Sequence, residues 1–441
     1  MNHKEWLLAD KNIQYRTINA MIKEHIVSEG MRIKEGTCKV EIFLNNHLLS
    51  LKVARKSALK RYVFTGDIVL KNKKLSQSIE SLEELLQILT EIFHINISKR
   101  LYDELIHSRD SLYETYKHFY NRQTLIHQSM KFSKLPDSIN FIAWLQHLQD
   151  SGITDDLSYS ESLVIEGHPT HPLTKTKLPL STNELKLYAP EFEKVIPLNI
   201  MLIEKNHVVT TAINDDQNFI LNQVIPEYRD RLKCYLEPLR LNLNDYRVML
   251  IHPWQYDHTI GEQFEEWIAK KILLPTPFTV ESKATLSFRT MDLIHTPYHV
   301  KLPVNVQATS AVRTVSSVTT VDGPKLSHAL QGLLQEFPEL QVAMEPYGAY
   351  AHTASDLSKQ LALIIRQKPT IYDYGCTVVT ASLVNPNPID NQAVVDSYLK
   401  WIENEITLDH IKHFIAIYTQ TLVTPLIAYI QNYGIALEAH M

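Results

Sequence analysis

The sequence contains few cysteines and few glycines, and both scarcities exclude classes of protein. Its three cysteines, Cys38, Cys234 and Cys376, lie far apart, so they form neither a disulfide scaffold nor a paired metal site. The 11 glycines include no GxGxxG or GxxxxGK run, so no phosphate-binding glycine loop of the dinucleotide or Walker type is present. A Gly-x-Ser-x-Gly nucleophile elbow is also missing, which disfavours a hydrolase.

The charge and the apolar runs exclude two classes of partner. A net charge of −5 gives no basic field for nucleic acid. The first 11 residues mix charged with apolar side chains, so we expect no signal peptide. No uninterrupted apolar run approaches the roughly 20 residues that cross a bilayer. With 441 residues, 44% of them hydrophobic, the sequence predicts a cytoplasmic protein of two or three domains.

The N-terminal third is predicted to be a helix, a few strands and then helices. Apolar spacing predicts a helix over residues 5–27, and two-residue alternation predicts a hairpin over 39–53 and a strand over 62–70. Ser81 with Glu84 forms a capping-box pattern that starts another helix. The stretch 112–132 carries a tyrosine and histidine stripe, which we interpret as a packed helix face rather than a ligand surface.

From about Ser158 to Asn387 the pattern changes to short β-like runs separated by Pro, Asn and Asp. We expect 196–203 to pair with 208–213, and further strands over 248–252 and 298–308. A helical insert is predicted over 217–239, and helices return over 393–405 and 409–432, with Pro425 inside the last one and Gly434 past its end.

These segments predict an α+β protein in three parts: residues 1–157, 158–387 and 388–441. The alternation from Gly434 to Met441 predicts a strand that begins with nothing downstream to pair with. We therefore expect an interrupted polypeptide.

The densest polar motif is Glu166-Gly167-His168-Pro169-Thr170-His171-Pro172, followed by Lys175 and Lys177. The prolines favour extended backbone at His168 and His171, which argues against a metal site on one helix face. An extended, cation-rich loop suits an anionic ligand better. A structural role for His168 is the alternative.

A second group lies between Ser287 and Arg313. On a strand, Ser287 and Arg289 would share one face. Lys301 and Arg313 bring the cations to three, whereas Asp292 is the only acid in the span. Buried cations need anions, so a phosphate or polycarboxylate ligand would fit this deficit. Near the end, Glu438 and His440 would face the same way on a strand and could meet Mg²⁺ and phosphate oxygens.

The motifs together resemble the IucA/IucC family of siderophore synthetases that work without a nonribosomal peptide template. The matching blocks, in the family's order, are EGHPTHPLTKTK, YAPEF, IHPWQ, SFRT, KLPVNVQATSAVRT, DGPKLS and YGIALEAH. They span most of the chain after residue 160. The N-terminal third resembles the family only in length and helical character.

The resemblance implies a cupped hand of thumb (1–157), fingers (158–387) and the start of an incomplete palm (388–441), with ATP and Mg²⁺ bound. It places His168, Ser287, Arg289, Lys301 and Arg313 around the nucleotide phosphates and the acid, with Lys175 on the same loop. Thr309 would lie beside the substrate carboxylate, Glu438 near the magnesium and His440 near the phosphates. A homodimer and other synthetases of one siderophore pathway are the implied partners.

Two departures from the family pattern stand out. The family's Lys-x-Arg-x-Gly-Phe reads here Lys175-Thr-Lys177-Leu-Pro, which keeps the charge but loses the guanidinium fork. Family members also continue beyond the Glu-Ala-His motif with a Gln-Asn pair and further acids.

The implied reaction is adenylation of a polycarboxylic acid such as citrate, followed by condensation with an amine or alcohol. Two alternatives stay open. An inactive carboxylate- and nucleotide-binding module would bind ATP or citrate without releasing pyrophosphate. A ligase of the ATP-grasp type would release ADP and phosphate. Citrate, a citrate monoamide and 2-oxoglutarate are equally compatible with the cations.

Overall fold

The computed structural model describes residues 3–59, 61–132, 135–136, 138–338, 340–373 and 375–437. Its helices are α1 (His3–Lys23), α2 (Leu82–Glu91), α3 (Lys99–Phe132), α4 (Phe141–Asp150), α5 (Asp156–Ser162), α6 (Thr182–Tyr188), α7 (Arg229–Leu236), α8 (Pro253–Gln255), α9 (Gly261–Gln263), α10 (Glu265–Ala269), α11 (Ser317–Leu330), α12 (Ser355–Ser358), α13 (Val394–Glu403) and α14 (Leu408–Tyr433). Its strands are β1 (Arg32–Glu35), β2 (Lys39–Leu44), β3 (His47–Lys56), β4 (Tyr62–Lys71), β5 (Ser76–Ser78), β6 (Lys177–Leu178), β7 (Val195–Glu204), β8 (Val208–Ala212), β9 (Tyr246–Ile251), β10 (Leu273–Ala284), β11 (Thr290–Leu293), β12 (Tyr298–Lys301), β13 (Val304–Ala308), β14 (Ala311–Arg313), β15 (Tyr347–Ala351) and β16 (Ala362–Gln367).

One compact unit comprises Met1–Asn121, Ile165–Leu185 and Gln307–Ala311. Its described residues hold an antiparallel sheet in the order β1-β2-β3-β4-β5. The predicted hairpin over 39–53 and the strand over 62–70 are confirmed as β2, β3 and β4. Apolar residues at alternate positions, among them Ile42, Leu44, Leu49, Leu51 and Phe64, are buried and form a face that packs against α1 and α2.

The helix α2 begins where the sequence predicts. The helix predicted over 5–27 spans His3–Lys23, and the helical stretch 112–132 belongs to α3, which begins at Lys99. Ser81 caps α2 by accepting the Glu84 N–H at 3.2 Å, although the Glu84 carboxylate accepts from the Glu80 N–H, one residue before the cap. On α3 the face that holds Leu112, Tyr116 and Phe119 packs with α1 and α2 in an apolar cluster. This part of the stripe is therefore a packed face, as predicted.

The second unit comprises Arg122–Val164, Lys186–Val306 and Val312–Met441. Within its described part the sheet order is β8-β15-β16-β12-β11-β10-β7-β9, with antiparallel neighbours throughout. The predicted pairing of 196–203 with 208–213 is wrong, because a short 3-10 turn over Lys205–His207 redirects the chain. β7 pairs with β9 and β10, and β8 pairs with β15 at the sheet edge.

Two other local predictions need correction. The strand expected over 298–308 is divided at Leu302 and Pro303 into β12 and β13. Pro303 lacks the N–H that a continuing ladder would use. The helical insert expected over 217–239 contains one α-helix, α7, and otherwise short π and 3-10 turns.

At the C-terminal end, α13 and α14 confirm the predicted helices, and Gly434 ends α14 with a left-handed φ of 67°. Among the described residues, one helix, α14, is long enough and apolar enough to cross a membrane, judged by length and composition alone. Only 11% of its apolar window is buried. The strand predicted over 434–441 starts in residues without regular structure, and positions 438–441 lie outside the described residues.

The described fold is α+β with antiparallel sheets, which confirms the predicted fold class. The domain boundaries at 157 and 387 stay predictions. The two compact units cut the chain elsewhere, because the segment 165–185 joins the N-terminal sheet and helices.

Candidate functional site

The loop 166–176 in the first unit closes on itself through Thr174. The Thr174 hydroxyl donates to the carbonyls of Glu166 at 2.6 Å and His168 at 3.2 Å. Gly167 has a φ of 64°, and a Cβ there would lie 2.6 Å from Thr174 Oγ1. The loop is consequently a series of turns. The extended loop that the prolines predict is wrong, since these carbonyls converge on one hydroxyl.

Arg16 on α1 binds two residues of this loop. Its guanidinium donates to Glu166 Oε2 at 3.0 Å and to the His168 carbonyl, and Tyr116 donates to Glu166 Oε1 at 2.7 Å. Arg16 is only 7% exposed. Burial lowers its pKa and the Glu166 carboxylate raises it, so the buried cation is held by its partner. Arg61, the residue before β4, donates to the Pro169 carbonyl at 2.9 Å.

The two histidines of the loop have fixed tautomers. His168 Nδ1 accepts from the backbone N–H groups of Thr170 at 3.3 Å and His171 at 3.2 Å. His171 Nδ1 accepts from the Leu173 N–H at 3.0 Å. In a neutral ring the proton then lies on Nε2, so each imidazole presents an Nε2–H donor. The ring centroids are 6.0 Å apart.

Both histidines favour the neutral form. Burial lowers the pKa of His168 first, and His171 and Arg16 lower it further. Burial and Arg16 likewise lower the pKa of His171. Within the described residues, no group of three or more His, Cys, Asp or Glu is arranged to hold a metal ion. This pair can therefore donate hydrogen bonds to an oxygen of a ligand at neutral pH.

The structure brings the segments of Lys175 and Thr309 side by side. The Thr309 N–H donates to the Thr176 carbonyl at 3.2 Å, and Ala308 pairs with Lys177 between β13 and β6. Thr309 has a left-handed φ of 57°. Lys175 is 2% exposed, and its Cε lies near Gly167.

In the second unit, Ser287 and Arg289 lie on a tight turn between β10 and β11. The predicted strand at this point is wrong, because Thr285 N and Oγ1 both donate to the Thr290 carbonyl, at 3.1 and 2.9 Å. Ser287 Oγ accepts from the Thr290 N–H at 3.1 Å. Phe288 is buried with a φ of 65°. The turn thus directs Ser287 and Arg289 by its own hydrogen bonds.

The cations of the second unit gather near this turn. The Arg289 guanidinium donates to the Thr314 carbonyl, one residue after Arg313. Burial lowers the pKa of Arg289, with further lowering by Arg313 and Arg366. Burial, Arg289 and Arg366 lower the pKa of Lys301, and Glu345 opposes them. The sheet register agrees, since Lys301 lies opposite Thr290, the residue after Arg289. Arg313 is linked to this group through Arg289.

Asp292, the only acid in the sequence span of these cations, pairs with other residues. Asp292 binds Lys368 at 2.8 Å and His299 at 3.4 Å. Glu345 instead binds Arg366 at 2.8 Å. Glu345 thus pairs with one of these cations, and the predicted deficit of negative charge stays a prediction. Such a site can bind phosphate or polycarboxylate oxygens.

Arg366 and Glu345 are absent from the sequence prediction. Arg366 lies on β16 opposite His299 of β12, so it shares a sheet face with Lys301, two residues further along β12. A single arginine that follows the apolar run Ala362–Ile365 was the available signal. Glu438 and His440, predicted to contact magnesium and phosphate, lie outside the described residues.

Comparison with known proteins gives a family. The model of the IucA / IucC family matches residues 156–385. Staphyloferrin A synthase of Staphylococcus aureus is 62% identical over 441 residues, which is 100% of this chain and 75% of that protein. D-ornithine–citrate ligase of the same organism is 24% identical, over 99% of this chain and 70% of that protein.

Solved structures share the fold. The petrobactin biosynthesis protein AsbB of Bacillus anthracis str. Sterne superposes with a TM-score of 0.77 at 17% identity, covering 99% of this chain and 70% of that one. ATP-bound aerobactin synthetase IucA from a hypervirulent pathotype of Klebsiella pneumoniae gives 0.75 at 16% identity, covering 97% and 74%. At these identities the likeness concerns the fold alone.

Proposed function

This chain belongs to the IucA/IucC family of siderophore synthetases, which are ligases, and on that premise we propose that it joins citrate, or a citrate derivative, to an amine or alcohol at the expense of ATP. The proposal is supported by the 62% identity to staphyloferrin A synthase and by the name of the citrate ligase relative. The observation that carries it is the placement of three cations on adjoining segments: Lys301 lies opposite Thr290, the residue after Arg289, and Arg366 lies opposite His299. Arg313 precedes Thr314, whose carbonyl accepts from Arg289.

The proposed reaction has two steps. A carboxylate oxygen of the acid attacks the α-phosphorus of ATP, and pyrophosphate leaves with the electron pair of the broken P–O bond. The amine nitrogen, or the alcohol oxygen, then attacks the activated carbonyl, AMP leaves, and the nucleophile loses its proton to solvent. Neither step needs a protein nucleophile, so positioning and charge stabilisation would supply most of the rate.

Each predicted residue has a role in this scheme. Arg289, Lys301 and Arg313 would offset charge on the phosphate oxygens, and Ser287 would donate a hydrogen bond beside them. His168 and Thr309 would contact the acid, with Lys175 contributing charge from the same loop as His168. Magnesium would be held with help from Glu438, and His440 would approach the phosphates; both roles rest on the sequence pattern and on the resemblance.

The neutral state of His168 refines its proposed role. With Nδ1 occupied by backbone N–H groups, the ring offers an Nε2–H donor. We therefore favour polarisation of a carboxylate or carbonyl oxygen over proton abstraction by this residue. A cytoplasmic location, a homodimer and cooperation with other synthetases of one pathway are part of the same proposal.

The first experiment measures pyrophosphate release by the full chain with ATP, Mg²⁺ and citrate, with and without D-ornithine and a panel of other amines and alcohols. We expect acid-dependent release that is lost in Arg313→Ala and Arg289→Ala. Release of ADP and phosphate instead would indicate the ATP-grasp type. Folded protein that releases neither product with any acid would reject the synthetase activity of this chain.

A second candidate function is an inactive binding module for carboxylate and nucleotide. The observation that favours it is α14, a helix with exposed apolar residues that include Ile415, Ile417, Ile427 and Ile430. A helix that is apolar on several sides is normally covered. The chain spans three quarters of staphyloferrin A synthase.

The test compares binding with turnover in the same chain. Measurable binding of ATP or citrate without pyrophosphate release, in folded protein, would support the module. Acid-dependent pyrophosphate release by this chain would reject it.

A further inference from the structure

A buried carboxylate lies against the turn that presents Ser287 and Arg289. Glu161 on α5 is 9% exposed, and its Oε2 accepts the Leu286 N–H at 2.8 Å. We propose that Glu161 is a positioning residue that holds the 285–290 turn in shape for a nucleotide phosphate, and that ionisation of its carboxyl makes this hold pH-dependent. The functional half of the inference rests on the proposed nucleotide role of the turn.

The turn's internal hydrogen bonds involve other groups than Leu286. Thr285, Phe288, Arg289 and Thr290 donate their N–H groups within the turn, to the Thr290, Thr285 and Ser287 carbonyls and to Ser287 Oγ. The Leu286 N–H is directed to Glu161 instead. This carboxylate therefore supports the outer side of a turn whose left-handed Phe288 leaves little freedom to rearrange.

The surroundings of Glu161 make its charge sensitive to pH near neutrality. Burial raises the pKa of Glu161 to about 7; the Leu286 N–H lowers it and Asp292 raises it. Asp292 is itself held by Lys368 and His299, and Glu161 also acts on Tyr372. Other charged groups on and around α5 include Asp156 and its neighbour Asp155, which caps the helix, the pair of Arg122 and Glu193, and buried Glu191.

The direction of the pH effect follows from hydrogen-bond strength. An ionised carboxylate accepts an N–H more strongly than a neutral carboxyl does, by roughly a factor of two in energy. Above pH 7 Glu161 is ionised and holds Leu286 more firmly; below it the proton weakens the bond. Folding shows the opposite trend, because the raised pKa means that the folded chain binds the proton more tightly than the unfolded chain. The two effects can be measured separately.

Three substitutions separate the contributions. Glu161→Gln keeps an oxygen acceptor of the same reach but removes the ionisation. Glu161→Leu removes both. The matched control is Asp156→Asn, since Asp156 is also a buried carboxylate of α5 that accepts backbone N–H groups, from Leu157 and Thr377, and is not bonded to the turn.

The first readout is hydrogen exchange of the peptide 285–290, corrected for the intrinsic exchange rate at each pH. In wild type we expect protection to rise about threefold between pH 6 and pH 8. Glu161→Gln should show equal protection at both pH values, Glu161→Leu low protection at both, and Asp156→Asn the wild-type rise. A rise that persists in Glu161→Gln would overturn the proposal, whether or not the chain binds nucleotide.

The second readout is equilibrium dialysis with radiolabelled ATP. Because ATP also titrates in this range, each variant is compared with wild type at the same pH. Glu161→Gln should match wild type at pH 6 and bind about threefold more weakly at pH 8. Absence of ATP binding by wild type would reject the proposed function and leave exchange to decide the positioning role. Equal ATP binding by Glu161→Gln and wild type at pH 8 would overturn the claim that Glu161 shapes the turn for a nucleotide phosphate.

Discussion

Arg16, near the middle of α1, lies 3.0 Å from the carboxylate of Glu166 at the start of the loop that carries His168. The two residues are 150 positions apart in sequence, and the same guanidinium also binds the His168 carbonyl. A helix of the N-terminal third thereby fixes the shape of a loop whose histidines are candidate ligand-binding residues. The resemblance of motifs covers the loop and not this helix.

Arg16→Gln should loosen the loop. Breaking the pair leaves Glu166 with only Tyr116, and we expect a loss of about 2 kcal/mol because Glu166 is partly exposed. The apparent KM for citrate should rise more than kcat falls. Lys11→Gln is the matched control, since Lys11 also lies on α1 and forms an exposed ion pair with Asp67 of β4. Urea unfolding and steady-state rates check both variants, and equal effects would refute the anchoring role.

Gly167→Ala should be more damaging than a left-handed glycine alone explains. The left-handed φ costs roughly 1–2 kcal/mol for any L-residue, and the new Cβ would also lie 2.6 Å from Thr174 Oγ1. Gly152 has a similar φ of 66° with no atom within 4 Å, so Gly152→Ala carries only the first cost. We expect Gly167→Ala to lose about twice as much unfolding free energy, measured in urea. Similar losses would contradict the closed loop.

Part of this site was predictable from sequence because its chemistry is local. Proline, glycine and histidine in one short motif predict a ligand loop, and three cations with one acid predict an anion site. The contributions of Arg16, Glu161 and Arg366 were not predictable, since each depends on contacts between distant segments. The Ser287–Arg289 strand prediction failed because alternation cannot distinguish a strand from a turn stabilised by a threonine hydroxyl. The predicted pairing of 196–203 with 208–213 also failed, because the partner that a strand selects depends on the whole sheet.

The stability of the chain should depend on His168 at mildly acidic pH. Its folded pKa is lowered, so the unfolded chain binds the proton more readily, and stability falls as pH drops through the unfolded value of about 6.5. Between pH 8 and 5.5, His168→Gln should lose less stability than wild type in urea titrations. An identical decline in both proteins would show that the surroundings do not lower the pKa of His168.

His168→Gln also tests the proposed donor role. Glutamine keeps an N–H donor and cannot act as a base near neutral pH, so at saturating citrate we expect this variant to retain about a tenth of wild-type kcat. His168→Leu removes the donor and should lose at least tenfold more. Equal loss in both variants, in protein that binds ATP normally, would favour proton abstraction over donation.

Arg366 gives the sharpest test of the cation group, because it was absent from the motif analysis. It lowers the pKa of both Arg289 and Lys301, so its charge is felt by the residues proposed to hold the nucleotide. Arg366→Gln should raise the KM for ATP about tenfold, an effect of about 1.4 kcal/mol. Lys368→Gln, two residues on, removes a cation whose partner is Asp292, and its KM for ATP should change less than twofold. If both variants shift the KM equally, the effect is one of general charge, and Arg366 has no place among the phosphate-binding cations.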